Sequence, residues 1–310
     1  VVSEAGALNG FKAASTIQHW LRAYDRGALK FPIDLDVVRQ MLPGSPLGKG
    51  VRVIREPMAV TSAGFEGALV RNPEDPADWG VFYNALARPE RQRFTIAHEL
   101  GHFVLHRDGT SSFQCDKESI YTGLDTLARI EREADDFAGN LLIPGDVLRA
   151  EIAGHPIDFH RLGELAHRFG VSFEAMCIRF IKYTEQRAAL VYWDYGYMKY
   201  QWRSQRAVRT GARLIATGDP QEPPVGTLAA DEAVEQQWDG IEVPADRWFP
   251  GEPPHLRVRE LKHTYRDGNR VLSLLLLESA EPRPWQQAEW EGEPAAEVDA
   301  FLLGDPSTRS

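Results

Sequence analysis

One stretch constrains this chain more than any other: residues 94–106, Phe-Thr-Ile-Ala-His-Glu-Leu-Gly-His-Phe-Val-Leu-His. His98, Glu99 and His102 stand in an H-E-x-x-H arrangement. On a helix, positions four apart are separated by roughly 6 Å along the axis and nearly share a face. Two imidazoles so placed can reach one metal ion, with Glu99 beside them to take a proton from a water on that ion. Ile96, Ala97, Leu100, Phe103, Val104 and Leu105 carry the same helix into a core, which is a dry and rigid place to hold a metal.

A catalytic zinc takes three protein ligands and keeps a fourth position open. One helix cannot wrap the ion, so the third ligand comes from elsewhere. The apolar face of the segment near residues 130–144 is Ala134, Phe137, Ala138, Leu141 and Leu142, and Glu131 falls on that stripe. An unpaired carboxylate aimed at a core is costly to bury, and a metal would pair it. Glu131 is therefore the expected third ligand, with Glu133, which points more to the side, as the alternative. Asp135 can accept a hydrogen bond from the far nitrogen of a ligand histidine.

The motif at 98–102, followed by Glu131-x-Glu-Ala-Asp135-x-Phe-Ala-x-x-Leu-Leu-Ile-Pro144, resembles the ImmA/IrrE metallopeptidases over roughly residues 10–185. The resemblance implies a gluzincin-like zinc protease of the cytoplasm that cuts a helix-turn-helix transcriptional repressor and so releases stress or mobile-element genes. It carries the metal ligands onto His98, His102 and Glu131 and the general base onto Glu99. Asp135 stands where Asn is common, and either accepts a hydrogen bond. The length and the extra C-terminal region resemble the IrrE branch, or the CapP-type proteases of bacterial anti-phage operons. Stress response and antiviral defence are thus the implied settings.

The formal charge of −10 argues against coating nucleic acid with the whole surface. No apolar run approaches a membrane span, and residues 1–20 lack a basic-then-apolar leader pattern. Two cysteines make no disulfide framework, so a reducing cytoplasm is expected.

The expected fold class is α+β: a mostly helical, zincin-like N-terminal domain with a small sheet over 1–185, a GAF/PAS-like sensor domain over 186–280, and a loosely attached tail at 281–310. Helices are expected at 4–26 (apolar face Leu8, Phe11, Ile17, Trp20, Leu21, Tyr24), 32–42, 90–106, around Glu131, 159–169 and 172–185. Strand-like runs fall at 51–60, 67–70 and 80–86, and one of them is expected to pair with an extended substrate. Residues 107–127 are polar and without a clear period. The pair at 158–185 reads as helix-turn-helix-like, with Gly170 at the turn. It offers only Arg179 and Lys182 to a DNA groove, which favours an αα-hairpin under the protease core. Beyond 185, strands are expected at 188–193, 256–261 and 271–277, the last after an Asp267-Gly268-Asn269 turn. Helices thin out after 230–238.

Cys115 lies in the polar linker. A thiolate there could reach the fourth zinc position and hold the protease inactive; the alternative is an ordinary loop cysteine. His106 continues the i, i+4 series but stands roughly 12 Å from His98 along the axis, too far to share its ion. Tyr121, His155, His160 and His167 are candidates for stabilising an oxyanion, each more simply structural. Residues 195–218 contain no acid, and Lys199, Arg203 and Arg206 interleave there with Tyr197, Tyr200 and Trp202. Rings alternating with cations suit single-stranded DNA or another small signal. The competing reading is a hairpin that packs its rings inward. The rival function from another class is a non-catalytic, zinc-containing, DNA-binding transcriptional regulator.

Overall fold

In the computed structural model, two helices and one sheet surround the histidine motif, and the reason lies in the side chains that meet there. The structure describes residues 8–109, 112–116, 125–214 and 220–280. Among them the chain divides into two compact units, one of residues 8–145 and 166–172 and the other of 146–165 and 173–280.

The first unit contains α1 (Gly10–Tyr24), α2 (Leu35–Met41), β1 (Val53–Ile54), β2 (Met58–Val60), β3 (Phe65–Arg71), β4 (Asp78–Asn84), α3 (Pro89–His106), β5 (Ser112–Asp116) and α4 (Asp125–Leu142). The sheet runs β1-β4-β3-β5, with β2 also on β4. The β1 and β2 pairings with β4 are parallel, and those of β3 with β4 and β5 antiparallel. Helix α3 packs on β3 and β4 from one side and against α4 from the other. Its buried Ala97, Leu100 and Phe103 meet a core that also takes in Leu69, Trp79 and Val81 of the sheet and Ala134, Phe137, Ala138 and Leu141 of α4. Trp79 meets Phe103 edge-on at 5.8 Å. Burying each large apolar side chain here contributes about 1.5–3 kcal/mol.

Helix α1 covers α4, but not with the face that its large residues suggest. Ala13, Ala14, Ile17 and Leu21 are buried, whereas Leu8, Phe11 and Tyr24 are exposed. The two backbones approach closely, so small residues fill the seam and rings cannot. Gln18 closes it by donating to the Asn140 carbonyl at 2.7 Å. The polar segment expected to be without period contains a strand, β5, recruited by the open edge of β3 rather than by its own pattern.

The second unit contains most of α5 (Gly145–Ile152), part of α6 (Phe159–Phe169), then α7 (Phe173–Tyr183), β6 (Arg187–Asp194), β7 (Tyr197–Arg203), α8 (Gln205–Arg209), β8 (Gln236–Pro244), β9 (Arg257–Thr264) and β10 (Arg270–Leu277). The sheet is antiparallel with order β7-β6-β10-β9-β8. The expected strands at 188–193, 256–261 and 271–277 are all present, and Gly268 turns between β9 and β10 at φ +73°. Helix α7 packs on β6 and β7. A core of Trp193, Trp248, Phe249 and Leu275 forms in the same unit. The whole is a mixed helix-and-sheet α+β protein. No helix among the described residues is long and apolar enough to cross a membrane.

Candidate metal centre

Helix α3 is fixed at both ends before any metal is considered. Pro89 stands in its first turn beside Glu90, whose charge complements the amino-terminal dipole. At the other end Arg107 donates to the carbonyls of Phe103 (3.0 Å) and Leu47 (2.6 Å). His98, Glu99 and His102 are all buried on this helix. Gly101 faces α4, where an added Cβ would stand 3.0 Å from Phe137 and 3.1 Å from the Ala134 carbonyl. The glycine thus sets the close spacing that brings α4, and Glu131 with it, to the histidines.

His98 Nε2 and His102 Nε2 lie 2.9 Å apart. Glu131 Oε2 is 3.2 Å from the first and Glu131 Oε1 is 3.5 Å from the second. Ligand atoms about 2.0–2.2 Å from a tetrahedral ion are separated by roughly 3.3–3.5 Å, so this trio fits a divalent ion of zinc's size. Two imidazoles and one carboxylate are also the donor set that such an ion takes at a catalytic centre. The cluster His98, His102 and Glu131 is the metal-ligand group found among the described residues. Glu131, not Glu133, is the carboxylate brought to the pair.

The outer contacts suit the same reading. Asp135 is buried, and its Oδ1 lies 2.7 Å from His98 Nδ1. Accepting that N–H leaves the lone pair of the other nitrogen, Nε2, for a metal. Burial pushes the Asp135 carboxyl up, against the pull of His98. His102 Nδ1 lies 3.2 Å from His106 Nδ1, and His106 Nε2 is 3.0 Å from Glu133 Oε2. Sequence reasoning missed these roles, although the i, i+4 spacing of His106 was their signal.

Glu99 is fully buried against β3. An added Cβ at Gly67 would stand 2.6 Å from Glu99 Oε1 and 2.4 Å from Thr95, so only a glycine leaves this carboxylate its place. Next to it, Glu66 pairs with Arg91 of α3 at 3.3 Å, tying the strand to the start of the helix.

Burial and then the charge of His98 push His102 down to about 4. Burial pushes Glu131 up, but the hydrogen bonds and charges of His102 and His98 outweigh it and hold the carboxyl well below the ordinary range. Both shifts have the same consequence in the metal-free protein. As pH falls from 6.5 to about 4, the unfolded chain binds a proton at residue 102 that the folded chain refuses. Stability is present near neutrality and is lost with acid, by at most roughly 3 kcal/mol for this group at 1.36 kcal/mol per pKa unit. Glu131 adds to the loss below its ordinary value of 4.5. Urea titrations of the metal-free chain at pH 7 and 4.5 should show this slope, and His102→Ala should flatten it. An equal slope in the variant would contradict the assignment.

The remaining candidates fall elsewhere. Cys115 sits on β5 with its backbone opposite Gly67, and its side chain lies outside the described residues. Tyr121 also lies outside them. His160 packs its ring on Trp238 at 4.9 Å. In the aromatic stripe, Trp202 is buried, as are Tyr192 and Trp193, whereas Tyr197 and Lys199 are exposed. Tyr200 leans on Tyr192 and Trp202 at 6.2 and 5.9 Å. Arg203 donates to the Ala212 carbonyl, and Arg206 is partly buried on α8. The hairpin has thus turned several of its rings inward.

A family model described as an IrrE N-terminal-like domain matches residues 48–180. The radiation response metalloprotease IrrE of Deinococcus radiodurans is 36% identical over 98 residues, which is 32% of this chain and 29% of that protein. The protein of the same name from Deinococcus deserti is 34% identical over 98 residues, 32% of this chain and 34% of its own. The matched stretch therefore spans about a third of these relatives. Among solved structures, a Mycobacterium tuberculosis transcriptional regulator aligns over 85% of this chain and 87% of its own, with 15% identity and a TM-score of 0.43. Residues 48–180 are similar to the IrrE N-terminal-like domain, and that stretch contains both histidines, Glu99, Glu131 and Asp135.

Proposed function

We propose that this chain is a zinc-dependent endopeptidase that cuts a helix-turn-helix transcriptional repressor in the cytoplasm, releasing stress or defence genes. The observation that carries the reading is the convergence of His98, His102 and Glu131 from two helices, with Glu99 buried one residue from a ligand. The names of the two relatives, metalloproteases of a radiation response, support both the chemistry and the setting.

When bound, the ion acidifies a water and polarises the scissile carbonyl. The residues do the rest. His98, His102 and Glu131 would hold the ion with three of the four donors that it takes, which would leave its last position to water or substrate. Glu99 takes the proton as the water attacks the peptide carbonyl and passes it to the departing amine. Gly67 and Thr95 fix where that carboxylate can stand, and the buried walls keep bulk water from competing for it. Both edges of β3 are paired in the sheet, so among the described residues the open edge nearest it belongs to β5. An extended substrate segment would pair there.

The second unit is read as a sensor of GAF or PAS type. Its antiparallel sheet supports that, as does a cleft of about 790 Å³ lined by Trp193, Tyr197, Glu232 and Lys262. The rival reading, a DNA-binding regulator without catalysis, is weakened by Arg179. One of only two basic residues on α7, it is buried with its guanidinium 4.8 Å over the Tyr183 ring.

Incubating the chain with a helix-turn-helix protein encoded beside its gene tests the proposal. Scission that stops with a chelator and returns with zinc is expected. A substrate left intact in both conditions, or cut regardless of chelator, would overturn it.

A further inference from the structure

Each metal-facing histidine has its outer nitrogen engaged, but by different partners. His98 leans directly on Asp135, whereas His102 meets another histidine, which meets a carboxylate. We infer that His106 and Glu133 form a positioning pair that holds the His102 ring for metal binding.

The hydrogen-bond roles leave one consistent arrangement. His102 offers Nε2 to the ion, so its proton sits on Nδ1 and must be donated outward. His106 Nδ1, 3.2 Å away, accepts it. The neutral ring of His106 then carries its own proton on Nε2 and donates to Glu133 Oε2 at 3.0 Å. Glu133 ends the chain as a carboxylate, with Arg129 3.8 Å from its other oxygen. Every donor finds an acceptor, and the tautomer of His102 follows from the far end.

The sequence fits this division of labour. His98, His102 and His106 recur every fourth residue along α3, while Glu131, Glu133 and Asp135 alternate on α4. Each carboxylate serves a different histidine or the ion itself. The His106 side chain is only 9% exposed, which keeps water from replacing it, whereas Glu133 is 39% exposed and can be changed without opening the core. This inference rests on the metal-centre reading above, and its test separates the two.

Zinc affinity would be measured on the full chain by competition with a chromophoric chelator, and Co²⁺ would be bound to report ligand geometry. His106→Ala should weaken affinity about 10–100-fold, the usual effect of losing an outer partner, and alter the Co²⁺ spectrum. Glu133→Ala should act in the same direction, and Glu133→Gln should recover most of the loss, because its amide oxygen still accepts the His106 proton. The double variant should cost no more than His106→Ala alone, since both changes cut one chain. Should His106→Ala fail to fold, the Glu133 variants carry the test. Zinc affinity and Co²⁺ spectra unchanged in both His106→Ala and Glu133→Ala would overturn the pair, even if their melting temperatures fell. If His98→Ala also bound zinc like the parent, the metal-centre reading itself would fail; loss of zinc there with no effect at His106 overturns the pair alone.

Discussion

Glu99→Gln is expected to keep its metal and to lose peptide cleavage by a factor on the order of 10²–10⁴, the usual contribution of a positioned general base. The substitution preserves shape, and that matters here because Glu99 is fully buried with Gly67 and Thr95 against it. An amide of the same size fits where a larger group would clash. What it removes is the capacity to accept a proton. None of the three ligand atoms belongs to residue 99, so the ion's affinity should hardly move. A parent-like metal content, a parent-like melting temperature and no cleavage product would together assign the role. Undiminished cleavage would remove Glu99 from the mechanism.

Glu131→Ala should have the opposite signature, losing the metal and the activity together. Its carboxylate closes the ligand triangle at 3.2 and 3.5 Å from the two imidazole nitrogens, and it is the trio's one anionic member. Removing it leaves two neutral rings on one helix, which cannot wrap an ion. The loss should exceed the roughly 100-fold ceiling for an outer-contact residue. Glu133→Ala serves as the contrast, because Glu133 reaches His106 and is not one of the three clustered donors. If the two variants bound zinc equally well, the choice of Glu131 over its neighbour would be wrong.

How much of this could be read from the chain depended on whether the signal was local. The H-E-x-x-H spacing and the apolar stripe beneath Glu131 are helical periodicities, so α3, α4 and the three side chains that they bring together were legible, as was Asp135 on the same face of α4. The turn at Gly268 and the strands on either side of it were legible for the same reason. Where tertiary contact decides, the pattern misled. Phe11 and Tyr24 look like the buried face of α1, but the close seam against α4 admits Ala13 and Ala14 instead. Strand β5 has no alternation of its own and exists because β3 offers it an edge. Gly67 is one unremarkable letter until the strand is folded onto Glu99. Trp202 left two readings open, a stacking ring or an inward-packed one, and its burial matches the second.

The most direct test of the account is elemental analysis of the purified, desalted chain and three variants. Close to one zinc ion per chain is expected in the parent and in Glu99→Gln, with little or none in His102→Ala and Glu131→Ala. Equal zinc in all four, or none in the parent after incubation with the ion, would contradict a metal centre built from these two helices.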